Sequence, residues 1–493
     1  MTARSTDAPA VGAVGAVGAV GAADAAAAPR SLRPLVGVLA AMAVSLTGTR
    51  VSAIALPWFV LATTGSATMT GLVAFVELTP YVLVKALTGP VVDRLGPRVV
   101  SWTADAVSAV VAGLVPLLHG LDLLPFWLLL VMVGVIGAAR GPGDLAKEVM
   151  VPEAADRGRV PMERATGLSG VTERLASTAG PAVGGALVAL LGPMTGLTVN
   201  AVAFALGSLV IALALPPGMG RAVAAHAAAA LPLTEAAPSS EPAPGHRAGR
   251  VDERVDEPGA PPPIGYWRMF REGFTFLRGD PLLLTIIVMV AVTNLLDAAF
   301  MTVLVPVWAQ ESGGGPAAIG LTGSVWGIAA VGGSLIAAAV AHRLPRQTVF
   351  FTGFLLCGAP RFLVLALGAP MGVVLAVFAV SGFGSGFLNP ILGAVQFERV
   401  PRHLLGRVNA LGDSLAWAGI PLGGLIAGSA VALVGLVPVL LVCGGLYFAT
   451  TTLSGLRPEW REMDRKRGCG PEAVADTGST PAERPAVTTG VGA

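Results

Sequence analysis

Charged residues are scarce in this sequence. Only 13% of its 493 residues are Asp, Glu, Lys or Arg, whereas 54% are hydrophobic; soluble proteins carry about twice that share of charge. Aromatic residues make up 6%, so the apolar excess comes from aliphatic and small side chains. A soluble globule of this size needs far more polar residues to cover its surface. The composition therefore excludes most soluble enzymes, and the apolar excess excludes disorder as the main state.

Several kinds of site are also missing. The three cysteines and five histidines are scattered without metal-ligand or disulfide spacing, so we expect no metal site. No GxxxxGK[ST] loop is present, which excludes an ATP-driven pump, and no catalytic motif such as HExxH indicates an enzyme. The formal net charge of +2 is too small to indicate nucleic-acid binding. We expect neither enzymatic activity nor a cofactor.

Long apolar runs dominate the chain instead. A helix needs about 20 mostly apolar residues to cross a bilayer, and twelve such runs are present. In chain order, these predicted spans are Pro34–Ala62, Ser66–Val92, Val99–Leu118, Leu123–Leu145, Thr166–Leu191, Met194–Leu215, Pro281–Ala309, Ala317–Ala341, Thr348–Leu367, Met371–Phe397, Leu405–Ala432 and Leu436–Leu456. They predict an all-α membrane protein with twelve transmembrane helices in two six-helix bundles.

Lysine and arginine follow an alternating pattern along these spans. The connections after odd-numbered spans contain neither residue, whereas the other connections and both termini contain many, including Arg94, Arg98 and Arg157. By the positive-inside rule, this pattern predicts a multi-pass protein of the cell (inner or plasma) membrane with both termini in the cytoplasm.

The composition also suggests a division of the chain. We expect a disordered cytoplasmic tail over residues 1–33, bundles over 34–215 and 281–456, a cytoplasmic linker over 216–280 and a second tail over 457–493. Within the linker, residues 266–280 are amphipathic and are predicted to form a helix along the membrane interface.

The two halves carry similar segments at corresponding positions, which is the plan of transporters built from parallel repeats. The three pairs are Asp93–Arg98 with His342–Arg346, Arg140–Pro152 with Leu388–Pro401, and Gly180–Gly185 with Pro421–Gly424. This duplication predicts a substrate site between the halves, near the middle of the membrane.

The segment GPVVDRLGPR resembles the cytoplasmic signature of the major facilitator superfamily. Five residues fit that signature, and Pro97 departs from it; the five are Gly89, Asp93, Arg94, Gly96 and Arg98. Residues Ile54–Ser66 and Leu404–Gly424 resemble the bacterial drug- and macrolide-efflux branch, to which siderophore exporters are similar. The resemblance covers roughly Arg33 to Leu456 and implies two pseudo-symmetric bundles that work by alternating access.

The resemblance also implies a gate. Asp93 would hold the cytoplasmic side closed against the helix around Arg407–Asp413, assisted by the other signature residues. Asp105 is expected to support this loop. The alternative is a tight turn whose arginines only set the topology.

In span 5, GPAVGG resembles the antiporter signature of drug exporters, although Ala176 stands where that signature has glycine. The predicted helix-interface residues are Gly167, Gly180, Pro181, Gly184 and Gly185. Small residues let helices approach closely, so this segment is either a sliding interface that favours export or simple close packing.

Ionisable residues inside a membrane are costly, which makes them functional candidates. We predict that Glu77 and Asp297 carry protons, with Arg50 close to Glu77 and Arg361 close to Asp297. Glu77, Tyr81 and Lys85 share one helix face. Two permanently ionised structural pairs are the alternative.

The candidate substrate-pocket residues combine aromatic rings with amides, and they are Trp58, Asn294, Trp308, Trp326 and Asn389. Together these patterns predict a monomeric, proton-coupled exporter of amphipathic small molecules, such as a drug, antibiotic, secondary metabolite or siderophore. The partners are the lipid bilayer, the substrate and protons, and the proton gradient is the energy source. An uptake permease or metabolite transporter on the same fold, or a non-transporting membrane sensor, are the alternatives.

Overall fold

Twelve helices that are long and apolar enough to cross a membrane make up most of the computed structural model, which confirms the all-helical prediction. The structure describes residues 31–217, 219, 266–340, 343–400 and 405–461, so most of both expected tails and of the linker lies outside the described residues. Spans 1 to 12 are Arg33–Thr64, Ala67–Leu87, Pro97–Gly120, Phe126–Gly158, Arg164–Leu191, Pro193–Ala214, Pro281–Glu311, Gly315–Val340, Arg346–Ala366, Met371–Gly393, Leu411–Val434 and Leu436–Gly455.

The six connections that lack Lys and Arg are short and tightly turned. Each contains a residue with positive φ: Gly65, Asp122, Gly192, Gly313 with Gly315, Gly368 and Gly435. Glycine adopts this backbone without a steric cost, which explains its presence in five of the six turns. These turns define the short-loop end of the bundle, and the opposite end, which contains Arg94 and Arg98, is the arginine-rich end.

Two predicted boundaries differ from the structure at the arginine-rich end. Span 2 ends at Leu87, because Gly89–Pro90 interrupts it, and a separate short helix over Gly89–Leu95 follows. Span 4 does not end at Leu145 but continues to Gly158, where Arg159 adopts a left-handed conformation with a φ of 51°.

The predicted amphipathic segment is helical over Tyr266–Gly279. It ends at Asp280, whose carboxylate accepts hydrogen bonds from the backbone N–H groups of Leu282 and Leu283, both at 3.1 Å. This cap begins span 7, because a carboxylate satisfies donors that have no partner within the helix.

The two halves pack most closely near the short-loop end. A Cβ atom on Gly71 of span 2 would lie 2.2 Å from the carbonyl oxygen of Gly424 of span 11. Spans 5 and 8 cross in the same way, because a Cβ on Gly320 would lie 2.5 Å from the carbonyl oxygen of Pro181 and 2.7 Å from the Cα of Gly185. The backbones are therefore in direct contact, as small residues permit in membranes.

Span 5 loses this contact toward the arginine-rich end. Among its described side chains from Met162 to Leu175, only Ala165 is fully buried. Leu168, Val171 and Leu175 are exposed by 42%, 55% and 63%. The halves are thus closed at the short-loop end, while the first three turns of span 5 stand clear of the second half.

A buried ion pair joins three helices of the first bundle. Lys147 of span 4 donates to Asp105 of span 3 at 2.8 Å, and the two side chains are only 3% and 2% exposed. Ser45 of span 1 donates to the same carboxylate at 3.3 Å. The Asp105 carboxylate is engaged within the bundle, and its support of the loop around Arg94 stays a prediction. Both side chains find their partners inside the bundle.

We expect Gly320→Ala to lower the free energy of unfolding by about 1–3 kcal/mol, because the added methyl group must displace backbone atoms of span 5. Thermal unfolding in detergent measures this. Gly332→Ala on the same helix is the matched control, since a Cβ there meets nothing within 4 Å. Equal melting temperatures for the two variants would contradict the described crossing of spans 5 and 8.

We expect Lys147→Met to destabilise the protein by roughly 3–5 kcal/mol, since it leaves the Asp105 carboxylate buried without its cation. The double variant Lys147→Met with Asp105→Leu removes both charges and should recover most of this loss. Thermal unfolding of the three proteins tests the pair. A double variant as unstable as the sum of both single variants would show that the charges are not coupled.

Candidate transport site

Three polar contacts connect spans 2 and 4 like the rungs of a ladder. Arg140 donates to Glu77 at 3.0 Å, the Tyr81 hydroxyl donates to Asp144 at 3.5 Å, and Lys85 donates to Glu148 at 3.2 Å. In each contact the two residues are 63 positions apart. The two helices run in the same direction, so residues spaced by four on each helix meet at successive turns. We call these six residues the ladder.

The ladder depends on the close approach of the two backbones. A Cβ on Gly137 would lie 2.1 Å from the carbonyl oxygen of Glu77, and one on Gly141 would lie 2.8 Å from that of Tyr81. Because the helices touch at these glycines, the long side chains between them overlap. The guanidinium of Arg140 consequently lies 5.0 Å from the centroid of the Tyr81 ring, within the range of a cation–π interaction.

The predicted pairing of Glu77 with Arg50 is wrong, because Arg140 takes the position next to the carboxylate. The side chain of Arg140 is only 14% exposed. The sequence did contain a signal for this contact: Arg140, Asp144 and Glu148 repeat the four-residue spacing of the polar stripe on span 2.

Arg50 is held between spans 1 and 5. Its Cβ lies 2.4 Å from the position that a Cβ on Gly180 would take, so the side chain begins directly against the helix backbone. The Nε atom is buried and has no hydrogen-bond partner. Glu173, seven residues before Gly180 and therefore on the same face of span 5, interacts electrostatically with Arg50.

The second half contains the pair that the sequence predicted. The guanidinium of Arg361 on span 9 donates to the carboxylate of Asp297 on span 7. It also lies 4.8 Å from the ring centroid of Phe300, with the rings of Phe362 and Tyr447 at 5.6 and 5.9 Å. The cation is therefore enclosed by one carboxylate and three aromatic faces.

Both helices that supply this pair are irregular beside it. Span 7 changes to a π-helical turn over Phe300–Leu304, which begins three residues after Asp297, and such turns are frequent at functional sites. Span 9 breaks at Gly358, where the ring of Tyr447 would lie 1.9 Å from a Cβ atom. The break brings Tyr447 close to the segment that carries Arg361.

The pairs Glu77–Arg140 and Asp297–Arg361 differ in which partners the arginine keeps when the carboxylate is protonated. Glu77 is 23% exposed and Asp297 is 36% exposed, whereas their cations are 14% and 2% exposed. Arg140 also interacts electrostatically with Asp144, one turn further along span 4. Arg361 is surrounded by rings instead, and an unpaired buried cation is costly. Neutralising Glu77 is therefore the less expensive of the two changes.

The signature residues occupy the arginine-rich end. Gly96 has a φ of 88° and joins the short helix Gly89–Leu95 to span 3. Arg94 is exposed, while Arg98 donates to the carbonyl oxygen of Ala212 in the last turn of span 6 at 2.7 Å. The side chains of Asp93 and Arg407 lie outside what the structure describes, so the latch stays a prediction.

Another contact between the halves was not predicted from the sequence. The ammonium of Lys85 on span 2 lies 5.6 Å from the ring centroid of Trp417 on span 11. Asp413, one turn before Trp417, interacts electrostatically with the same ammonium. Lys85 thus links the outermost rung of the ladder to the second half.

The antiporter-like segment lies against two partners. Gly180 and Gly184 pack on span 1, at Arg50 and Val51, whereas Gly185 and Pro181 pack on span 8. Gly167 is exposed, and a Cβ there would meet nothing within 4 Å. Its assignment to a helix interface is therefore wrong in this conformation.

The five candidate pocket residues have different environments. Trp308 is buried in the core at 7% exposure, and Trp58 and Trp326 pack against the same core. The amide of Asn294 donates to the carbonyl oxygen of Ala416 at 3.0 Å, and Asn389 is exposed. Asn294 joins spans 7 and 11 and Trp308 fills the core, so both support the fold at these positions.

Comparison with known proteins agrees with this architecture. The sequence profile of the Major Facilitator Superfamily matches residues 38–313 and 286–468. The chain is 30% identical over 441 residues to the multidrug efflux pump Tap of Mycobacterium tuberculosis, covering 87% of this chain and 95% of that protein. It is 29% identical over 438 residues to Tap of Mycolicibacterium fortuitum, covering 87% of this chain and 97% of that protein.

Solved structures show the same fold at low identity. The nucleoside transporter NupG aligns with a TM-score of 0.63 at 14% identity, over 86% of this chain and 98% of its own. A bacterial homologue of the human lysosomal transporter Spinster aligns with a TM-score of 0.53 at 12% identity, over 89% of this chain and 98% of its own. With its twelve spans and paired bundles, the chain belongs to the major facilitator superfamily of membrane transporters.

Proposed function

We propose that this protein exports amphipathic small molecules, such as drugs, antibiotics, secondary metabolites or siderophores, in exchange for protons. Its similarity over 87% of the chain to transporters named multidrug efflux pumps supports the export of drug-like cargo. The observation that carries the coupling is the ladder, which holds a partly exposed glutamate against an arginine inside the membrane.

The proposed orientation follows from the arginines. The arginine-rich end lies in the cytoplasm by the positive-inside rule, and the short-loop end faces outward. The described conformation then has its outer side closed by the glycine contacts of spans 2, 5, 8 and 11, and span 5 is free on the cytoplasmic side. Substrate enters from the cytoplasm, and rocking of the two bundles exposes it to the outside.

Glu77 is the proposed proton carrier. When Glu77 takes up a proton, Arg140 loses its partner at 3.0 Å but keeps Asp144 one turn away. The arginine can therefore change partners without becoming an isolated buried charge. Proton release to the cytoplasm restores the first pair. Asp297 is a second proposed carrier, with a larger cost because Arg361 is enclosed by aromatic rings.

Gating would act at the arginine-rich end of span 2. Asp93 holds the cytoplasmic side closed in the outward-facing state, as the signature implies, and Lys85 contributes a contact to Trp417 in the present state. The protein works as a monomer with the proton gradient as its energy source and needs no cofactor.

We expect inverted membrane vesicles containing this protein, with an acidic interior, to accumulate a fluorescent amphipathic cation such as rhodamine B ethyl ester. Glu77→Gln should reduce this accumulation at least tenfold, since the amide cannot carry a proton; roughly 1.4 kcal/mol corresponds to each factor of ten. Binding of the dye to the purified variant should persist, because the amide can still accept a hydrogen bond from Arg140.

Glu311→Gln at the short-loop end is the matched control, because this glutamate is exposed and distant in sequence from the ladder. Its accumulation should equal that of the unchanged protein. Normal pH-driven accumulation by Glu77→Gln would exclude Glu77 as the proton carrier. Loss of dye from preloaded inverted vesicles under the same gradient would show that the protein transports the dye into the cell instead of out of it.

We expect Asp93→Asn to abolish export without reducing the amount of protein in the membrane, because the neutral side chain weakens its interaction with the dipole of the opposing helix. Vesicle accumulation and quantitative immunoblotting measure the two effects. Asp122→Asn in a short loop is the control, since asparagine also tolerates the positive φ at that position. Full export by Asp93→Asn would exclude the latch.

A further inference from the structure

Four cations that are buried or half-buried within the spans have a carboxylate partner. Lys85 pairs with Glu148, Arg140 with Glu77, Lys147 with Asp105 and Arg361 with Asp297. Arg50, half-buried in the middle of span 1, forms no ion pair with a described residue. This is unusual, because a charge inside the membrane is costly unless another group compensates it.

The surroundings of Arg50 explain why its own bundle does not neutralise it. Asp144 attracts Arg50 but already accepts a hydrogen bond from Tyr81, and Glu77 accepts one from Arg140. Arg140 lies close enough to repel Arg50 electrostatically. Glu173 attracts Arg50 but is exposed and beyond ion-pair distance. Arg50 is therefore an uncompensated positive charge next to Arg140, whose charge is compensated by Glu77.

Packing also fixes the place of this charge. The stem of Arg50 leaves span 1 directly against Gly180, with its Cγ 3.0 Å from the Cβ position of that glycine. The side chain is partly accessible, although its Nε is buried without a partner. Glu173, on the same face of span 5, belongs to the segment that stands clear of the second half. An anionic group that enters along this segment would therefore meet the guanidinium.

We propose that Arg50 binds the anionic group of the transported molecule, so that the preferred cargo is an amphipathic carboxylic acid, or a compound with a comparable acidic group, rather than a simple cation. This inference rests on the proposed function. The guanidinium offers planar paired donors that match a carboxylate. Glu173 competes for Arg50 when no cargo is bound, and the cargo displaces this interaction.

The assignment gives Gly180 a specific role. Its lack of a side chain makes room for the arginine stem, so the antiporter-like segment of span 5 positions the substrate-binding charge in addition to packing on span 8. Rocking of the bundles moves span 5 relative to span 8 while Gly180 stays against span 1. The bound anion would accordingly move with the first bundle.

The test compares rhodamine B, which carries a free carboxylate, with its ethyl ester, which does not. Equilibrium binding to the purified full-length protein is measured by fluorescence polarisation. The unchanged protein should bind the acid more tightly than the ester. Arg50→Gln should weaken binding of the acid about tenfold or more and leave that of the ester within about twofold, since only the acid loses a charge-assisted hydrogen bond. Arg50→Lys should retain part of the preference.

Two further variants separate this site from a structural effect. Glu173→Gln removes the competing carboxylate and should strengthen binding of the acid, and Arg174→Gln, an exposed cation next in sequence, should change neither affinity. Equal weakening of acid and ester by Arg50→Gln, or a loss of acid binding in Glu173→Gln, would overturn the proposal. So would a wild-type protein that binds the acid no more tightly than the ester.

Binding is measured without a gradient, so it is independent of transport. A protein that prefers the acid through Arg50 but accumulates neither dye in vesicles would contradict the proposed export and leave the binding site intact. If the vesicles accumulate dye but Arg50→Gln does not change the preference for the acid over the ester, the export proposal stands and the binding site at Arg50 is excluded.

Discussion

The contact between spans 2 and 4 is the constraint on which the candidate site depends. Gly137 and Gly141 bring the two backbones together, and only at this separation can three consecutive polar pairs form between parallel helices. The innermost pair contains the proposed proton carrier, and the outermost includes Lys85, which also reaches Trp417 in the other half. Protonation at Glu77 and contact between the bundles are therefore connected through one rigid pair of helices.

Charge compensation explains the differences among the buried groups. Lys147 and Asp105 are almost completely inaccessible and hold spans 3 and 4 together, so they are poor candidates for proton exchange. Glu77 and Asp297 are more accessible than their arginines, which suits groups that exchange protons with a cavity. Arg50 remains as the charge without a partner, and a ligand that supplies the missing anion would lower the cost of keeping it there.

Much of the fold could be predicted from the sequence, because membrane spans require long apolar runs and the arginines mark alternate connections. The pairing of Asp297 with Arg361 could also be anticipated from their depth in the second half. Depth alone could not assign the partner of Glu77: it points to Arg50, whereas the structure places Arg140 beside the carboxylate. Packing decides the choice: Gly180 holds Arg50 against span 5, whereas Gly137 and Gly141 place Arg140 beside span 2.

The positions of the carrier and the free arginine determine how proton and cargo affect one another electrostatically. Arg140 interacts with Glu77 when that residue is ionised and repels Arg50 electrostatically. Neutralising Glu77 leaves Arg140 with Asp144 as its remaining partner. The loss of one negative charge makes the region around Arg50 more positive and strengthens its attraction for an anion. For an acidic cargo, protonation of Glu77 would then favour binding rather than oppose it. A cationic cargo could compete directly with the proton for the Glu77 carboxylate. An anionic cargo cannot, so the exchange then requires that movement of the bundles set the order in which proton and cargo are released.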